Sequence, residues 1–369
     1  MKKLISLLMC LAFVTGCASA NKADTALNTD KTIEVAVFKN KGTQQEYFEK
    51  GIEEAYNDVL EEYKNSGYKI ICEFYDNNGT YENVAEITER LVKDPSLTAI
   101  IGSDTADIFE NQAALAQKNK KILIGSGWVE DDMMTSENYM VFSMINSNDD
   151  IAAALTRVTE ELPDMNWAVC ASNDNIATIE AQYFRKKEMS NVLDYCDVDD
   201  LGVYFDRIKE RWQSLDIKGV VLLPYNDEGF GLLYNLKAKM PDLYVVSDFD
   251  LDSQSEYRAN KEKYKNVYIA DGFAVDKKSE KYIQKGGFED TWMTHGYNTF
   301  RMIVDTAVAN NTSNPEKIAE IIHSKGYEGI GESFKFAKNG LLVPERYNYI
   351  DLGTLEEYSC DVQQKGAEK

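Results

Sequence analysis

The stretch from Thr98 to Asp132 constrains the fold more tightly than any other part of the chain. It reads TAIIG, SDTADIFENQAALAQKN, KKILIGSG, WVEDD: an apolar strand at Thr98–Ile101, a loop and helix from about Ser103 to Asn119, and a second strand at Lys121–Gly125. Short runs of Ile and Leu without polar alternation suit parallel strands covered on both faces. Each strand opens into small residues, Gly102-Ser103 after the first and Gly125-Ser126-Gly127 after the second. Ligands of open α/β sheets bind outside the carboxyl ends of the strands, which makes these two loops first candidates for a site.

The same alternation extends in both directions. IEVAVF (Ile33–Phe38) reads as a strand, and the helix after it places Phe48, Ile52, Ala55, Tyr56, Val59, Leu60 and Tyr63 on one face. Thr43 with Glu46 is expected to form a capping box at its start. YKIICEFY is the next strand, and Val84, Ile87 and Leu91 stripe the next helix. After Ser147-Asn148-Asp149 the pattern restarts. A helix (Ile151–Leu162), WAVCA, a helix from about Ile176, LDYCDV, a helix from Phe205, GVVLL, a helix from Phe230, LYVVS and VYIADGFA follow in order. The reading is therefore α/β: two doubly wound parallel-sheet lobes with right-handed crossovers. A long helix around Gly296–Ala309 comes next, then Asn314-Pro315 as N-cap and first turn of another helix. The runs FKFAKNG and YNYID are expected to pair as a hairpin on the second lobe.

The first residues address the chain rather than fold it. Met1-Lys2-Lys3 and the apolar run Leu4–Val14 form a charged and a hydrophobic region too short to span a bilayer stably. Val14-Thr15-Gly16-Cys17 resembles the bacterial lipobox, which implies cleavage before Cys17 and lipidation of that thiol. More than one acyl chain makes a stable anchor, so the expectation is export and tethering to a membrane face. Residues 18–31 are small, polar and nonperiodic, as in a flexible stalk. The formal charge of −22 becomes −24 once Lys2 and Lys3 leave with the signal, which argues against nucleic acid or anionic headgroups as partners. Cys72, Cys170, Cys196 and Cys360 remain in the body of the chain, with no metal-ligand spacing and no disulfide framework. A Cys170–Cys196 bridge is left open.

Four motifs in order resemble the leucine-binding-protein-like group of type I periplasmic binding proteins. They are the gapless stretch from Ile101 to Val129, YMVFSMINSND, THGYNTFRMIVDTAVANN (Thr294–Asn311) and GIGESFKFAKNGLLVPERYNYIDLG (Gly329–Gly353). The resemblance covers roughly Thr32–Leu355 and implies two lobes joined by a multi-crossover hinge that closes around a ligand. The division it implies is a signal peptide at 1–16 and a stalk at 17–31 carrying lipidated Cys17. A first lobe of 32–147 plus about 275–327 follows, then a second of 148–274 plus about 328–356, and a tail of 357–369.

Strand ends supply the site candidates. The first lobe offers Ser103, Asp104, Thr105, Ser126, Gly127 and Trp128, with Lys39 and Asn40 after the first strand. Across the cleft stand Asn173 and Asp174; Tyr225, Asn226 and Asp227; and Asp248, Phe249 and Asp250. Amino-acid-binding members of the resembled family place a hydroxyl residue and backbone amides in the first loop and a Thr in the second, all serving the ligand carboxylate. Here Ala106 and Val129 fall at those positions, and Trp128 stands where the family has a small residue. Thr105 and Ser103 could substitute by a small shift, and helix N-terminal amides near Asp104 to Asp107 could still receive an anion, but Asp104 and Asp107 would repel one, which disfavours a standard α-amino acid. The remaining chemistry suits a ring stacked on Trp128, Tyr225 or Phe249 and a cationic or amide group facing Asp174, Asp227 or Asp248.

Enzyme readings find little support. His295, placed just before the long helix, and His323, in an apolar helix, are the two histidines, and no G-x-S-x-G, G-x-G-x-x-G, P-loop or HExxH pattern occurs. Asp248 and Asp250 are a carboxylate pair that a glycosidase could use, and this hydrolase reading ranks last. No cofactor or metal is expected. The resemblance implies an extracytoplasmic, lipid-anchored solute-binding protein that hands an amino acid-like, amide or aromatic amine compound to an ABC transporter permease. A ligand sensor signalling to a membrane receptor, and a surface lipoprotein with a filled cleft acting through protein contacts, are the alternatives on the same scaffold.

Overall fold

The computed structural model describes residues 31–361, apart from 77–79, 105, 126–133, 135–138, 225–227, 249–258, 271–274 and 289. In chain order the first lobe holds β1 (Thr32–Lys39), α1 (Thr43–Glu62), β2 (Lys69–Asp76), α2 (Tyr81–Leu91), β3 (Leu97–Ile101), α3 (Ala106–Lys118), β4 (Ile122–Gly125) and β5 (Val141–Ser143). These strands form one sheet in the order β2-β1-β3-β4-β5, parallel throughout. Every residue of β3 and β4 is buried, as unalternating Ile and Leu runs require of strands covered on both faces.

The second set follows as α4 (Asn148–Glu161), β6 (Asn166–Ala171), α5 (Asn175–Lys187), β7 (Val192–Asp197), α6 (Val198–Val203), α7 (Phe205–Ser214), β8 (Ile217–Leu223), α8 (Glu228–Lys239), β9 (Tyr244–Ser247) and β10 (Val267–Ala270). The chain then returns to the first lobe with α9 (Glu280–Lys285), α10 (Thr291–Ala309), α11 (Pro315–Lys325) and the small pair β11 (Tyr327–Glu328) and β12 (Ser333–Phe334). It crosses back a last time into β13 (Arg346–Asp351) and β14 (Glu356–Asp361). The second sheet has the order β14-β13-β10-β9-β8-β6-β7; β6 to β10 run parallel, and β13 and β14 are antiparallel additions at one edge.

Each sheet is covered on both faces. In the first lobe, Val35 and Val37 of β1 and Ile124 of β4 pack with Phe48, Ile52 and Val59 of α1 and Phe300 and Ile303 of α10. The opposite face carries Ile100 and Leu123 against α2 and α3. In the second lobe α4 and α5 cover one face through Leu155, Val158 and Phe184, and α6, α7 and α8 cover the other through Leu201, Trp212 and Leu236. Two doubly wound parallel-sheet lobes are thus present, linked by three passages of the chain.

Of four local expectations, one holds and three do not. Asn314 does cap α11, its side chain accepting from Lys317 N–H at 3.0 Å with Pro315 in the first turn. Thr43 is not the N-cap of α1: Gly42 holds that place, at φ 118°, and makes no side-chain bond. A glycine at that left-handed φ lets the chain turn straight from β1 into the helix. FKFAKNG does not pair with YNYID either. Phe336 bridges Leu342 within its own loop, Ser143 N–H donates to Gly340 O at 2.9 Å, and β13 pairs instead with β10 and β14. Finally, His295 lies inside α10, fully buried, with Nδ1 at 3.3 Å from Glu332 Oε1.

Cys170 and Cys196 are direct partners in the β6–β7 register and are joined as a disulfide, with Cα atoms 4.8 Å apart. The pairing suits an oxidising compartment. Cys72 and Cys360 are free thiols.

Candidate functional site

The strand order of each sheet reverses at one place, between β1 and β3 in the first lobe and between β6 and β8 in the second. The carboxyl ends of those four strands are the crevices where this architecture binds ligands. Both switch points coincide with candidate loops named from the sequence.

At the first, Asn40 follows β1 and is nearly buried, its Nδ2 donating to Gly102 O at 3.4 Å across the strand ends. Lys39 is exposed, with Nζ 4.0 Å from Glu49 and 5.5 Å from the centre of the Phe74 ring. Ser103 is 1% exposed, and its N–H donates at 2.8 Å to Oε1 of Gln112 on α3. Gln112 is fixed from its other end, Nε2 donating to Thr88 Oγ1 of α2 at 3.2 Å. A backbone amide at the head of this loop is therefore already satisfied from within the lobe. Asp104 is half-buried beside it. Thr105, Ser126, Gly127 and Trp128 lie outside the described residues.

At the second switch point, Ser172 N–H donates to Leu223 O at 3.0 Å, tying the ends of β6 and β8 together. Asp174 is the N-cap of α5, accepting from Ala177 N–H at 3.0 Å and from the Ser172 hydroxyl. Asn173 is exposed and, with Ser172, lines a groove of about 700 Å³ on the outer side of β7, together with Gln182, Arg185, Tyr195 and Arg207. Asp248 is the first residue beyond β9. Tyr225, Asn226, Asp227, Phe249 and Asp250 lie outside the described residues, as does Cys17.

The structure adds a carboxyl that motif reading passed over. Glu180 of α5 has no exposed surface; among the described residues neither side-chain oxygen meets an N–H or hydroxyl donor, and its polar contact is with the carboxyl of Asp248. Burial pushes its carboxyl well above the carboxylate range, and the charges of Asp248 and Asp174 push the same way. Burial also raises Asp248, to about 6. A signal for Glu180 was present in the sequence: Ala177, Glu180 and Phe184 share one helical stripe, and both apolar neighbours are fully buried. Gln112 shares the stripe of Phe109, Ala113 and Ala116 in the same way.

Among the described residues there is no group of three or more His, Cys, Asp or Glu side chains able to hold a metal ion, and no helix is long and apolar enough to cross a membrane. His323 packs its ring on Tyr139, centres 4.6 Å apart, with Nε2 3.0 Å from Tyr139 O, a structural placement at the lobe surface.

Two sheets of this topology, each with its switch point at the same kind of loop, define the class: a two-lobed α/β protein of the type I periplasmic binding protein fold. Residues 32–182 match the periplasmic binding protein family model, a family of binding proteins rather than enzymes. The structure is similar to an ABC transporter substrate-binding protein from Desulfitobacterium hafniense, with a TM-score of 0.74, 15% identity, and coverage of 90% of this chain and 100% of that one. It is also similar to the branched-chain amino acid transporter substrate-binding protein LivJ from Streptococcus pneumoniae in complex with isoleucine, at TM-score 0.70, 17% identity, and 90% and 100% coverage. A solute-binding protein from R. palustris in complex with benzoate matches at TM-score 0.67 and 11% identity, covering 90% of this chain and 96% of that one. No curated protein sequence matches at a significant level. The family match and the fold agree with the resemblance read from the four motifs.

Proposed function

We propose that this chain is an extracytoplasmic solute-binding lipoprotein. Tethered through Cys17, it captures a small molecule between its lobes and delivers it to an ABC transporter. The observation that carries the reading is the pairing of two switch-point crevices, Asn40 to Asp104 on one lobe and Ser172 to Asp174 with Asp248 on the other, on a chain that crosses between the lobes three times. Such crossings let two rigid bodies close about a solute while keeping their own cores intact. The similar proteins that hold isoleucine or benzoate support small-molecule capture on this scaffold.

The test is a thermal-shift screen of the chain from Lys22 onward against amino acids, amides, polyamines, nucleosides, aromatic acids and sugars. A solute present at about 100 times its Kd adds roughly 2.7 kcal/mol of stability. That moves the transition by a few degrees. A shift from one chemical class is the expected result; silence from every class sinks solute capture. Fatty-acid labelling of the full chain, abolished by Cys17→Ser, is expected of the anchor, and undiminished labelling of the variant rejects it.

A further inference from the structure

Glu180 is a fully buried carboxyl that the capture reading has not used. Its stripe on α5 faces the second sheet, between Ala177 and Phe184, so the side chain is directed inward, toward the end of β9 where Asp248 stands. Among the described residues neither of its oxygens meets an N–H or hydroxyl donor; its hydrogen-bond contact is with the carboxyl of Asp248, and the charges that act on it are carboxylates, Asp248 and Asp174. Asp174 is occupied in capping α5. An ionised carboxyl held this way is strongly unfavourable unless a proton or a cation joins it. An acidic cluster alone says nothing of a ligand; a fully buried acid that meets no N–H donor and whose polar contact is another carboxyl does, because the pair demands a proton or a positive group that the described residues do not supply.

The opposite wall points the same way. The amide of Ser103 is engaged by Gln112 Oε1 at 2.8 Å, and Gln112 is locked by Thr88. An anion arriving at this loop finds that donor taken, with Asp104 beside it.

We propose that the cleft takes an organic amine that carries no carboxylate of its own, its ammonium held at Asp248, with Glu180 behind Asp248 as the positioning residue that makes positive charge a requirement. The inference rests on the solute-capture reading. In the empty cleft Glu180 and Asp248 hold a proton between them; the incoming ammonium takes over its role and the proton leaves to solvent.

The test uses the chain from Lys22 onward, with putrescine, agmatine and tyramine as amine probes, leucine as zwitterion, benzoate as anion and acetamide as neutral control. Thermal shift finds the binder, and calorimetry in phosphate and in Tris gives its affinity and the protons released. An amine is expected to bind, with leucine and benzoate silent. About 0.5–1 proton leaves per amine bound to the native chain and close to none with Glu180→Gln, by linkage. Affinity for the amine falls at least tenfold in that variant. Glu180→Met, neutral and apolar, is the second variant should the amide fail to fold, with the same loss expected. Binding of leucine, benzoate or acetamide with no amine bound overturns this inference and leaves solute capture standing. Silence from all probes, together with a positive hit elsewhere in the wider screen, does the same; silence in both removes the two readings together. Amine binding with affinity and proton release unchanged in both variants rejects the role given to Glu180.

Discussion

Ionising Glu180 in the folded chain places a negative charge against the Asp248 carboxyl where, among the described residues, no N–H donor and no cation meets it, and that has a consequence without any ligand. Its folded carboxyl titrates well above the ordinary carboxylate range, chiefly by burial and then by the charges of Asp248 and Asp174. Asp248, raised by burial to about 6, shares the effect. A carboxyl whose folded pKa lies above its unfolded value contributes stability that is complete below the unfolded value and is lost as pH rises through the folded one. As pH rises above the ordinary carboxylate range, the native chain, free of ligand, is therefore expected to lose stability relative to Glu180→Gln, whose amide cannot ionise. Urea midpoints for the two proteins across that rise test it. Parallel pH profiles would show that the buried acid has a compensating partner. At this scale the sequence was partly legible. Strand-end positions such as Asp174 and Asp248 can be read as candidates because topology places them. Glu180 and Gln112 cannot, because a polar residue in an apolar helical stripe reads the same whether it faces a site, a loop amide or solvent.

The regular elements were legible wherever hydrophobic pattern decides the structure. The buried runs of β3, β4 and β8 and the stripe Phe48, Ile52, Ala55, Val59 of α1 stand where their periods put them. What the pattern could not show is how closely two elements approach. On α1 and α10 the glycines make that approach possible: a Cβ on Gly51 would stand 2.0 Å from Met293 O, and one on Gly296 would stand 2.0 Å from Phe48 O. Each helix thus rests its glycine on the other's backbone, and neither contact is visible in a hydrophobic period. FKFAKNG is the same kind of case, since Gly340 is held against the backbone of Val141 by a contact distant in sequence. Gly296→Ala is expected to force α1 and α10 apart and to destabilise by about 1–3 kcal/mol or more, since a backbone oxygen cannot rotate away as a side chain can. Gly202→Ala is the control, because nothing lies within 4 Å of the added methyl. It should be neutral, or stabilising by up to about 1 kcal/mol through helix propensity. Equal urea midpoints for the two variants would mean that the helices have room to spare.

The whole molecule consists of two bodies, each with cores on both faces of its own sheet, and a perturbation confined to one sheet should reveal how far they unfold together. The Cys170–Cys196 disulfide joins neighbouring strands of the second sheet across 26 residues of sequence. Loops of that length give a constraint of about 2–4 kcal/mol when the bond is removed. Trp167 and Trp212, both essentially buried, report the second lobe, and Trp292 of α10 reports the first. Two backgrounds separate them: one with Trp128 and Trp292 replaced by Phe, the other with Trp128, Trp167 and Trp212 replaced. Cys196→Ser is expected to lower the urea midpoint in the first background by the equivalent of about 2–4 kcal/mol and to move the second much less. The first lobe has cores of its own, built from its sheet and the α1–α10 packing, and is expected to keep them when the second lobe opens. Equal shifts at both reporters would show that the three passages between lobes bind the bodies into one cooperative unit. Closure on a solute would then act against a stiffer hinge than two independent cores imply. Added amine ligand distinguishes the cases further. A molecule held by both crevices stabilises only the state in which both lobes are folded, so it should draw the two midpoints together in the Cys196→Ser chain. If saturating ligand leaves them apart, the solute is held by one lobe alone.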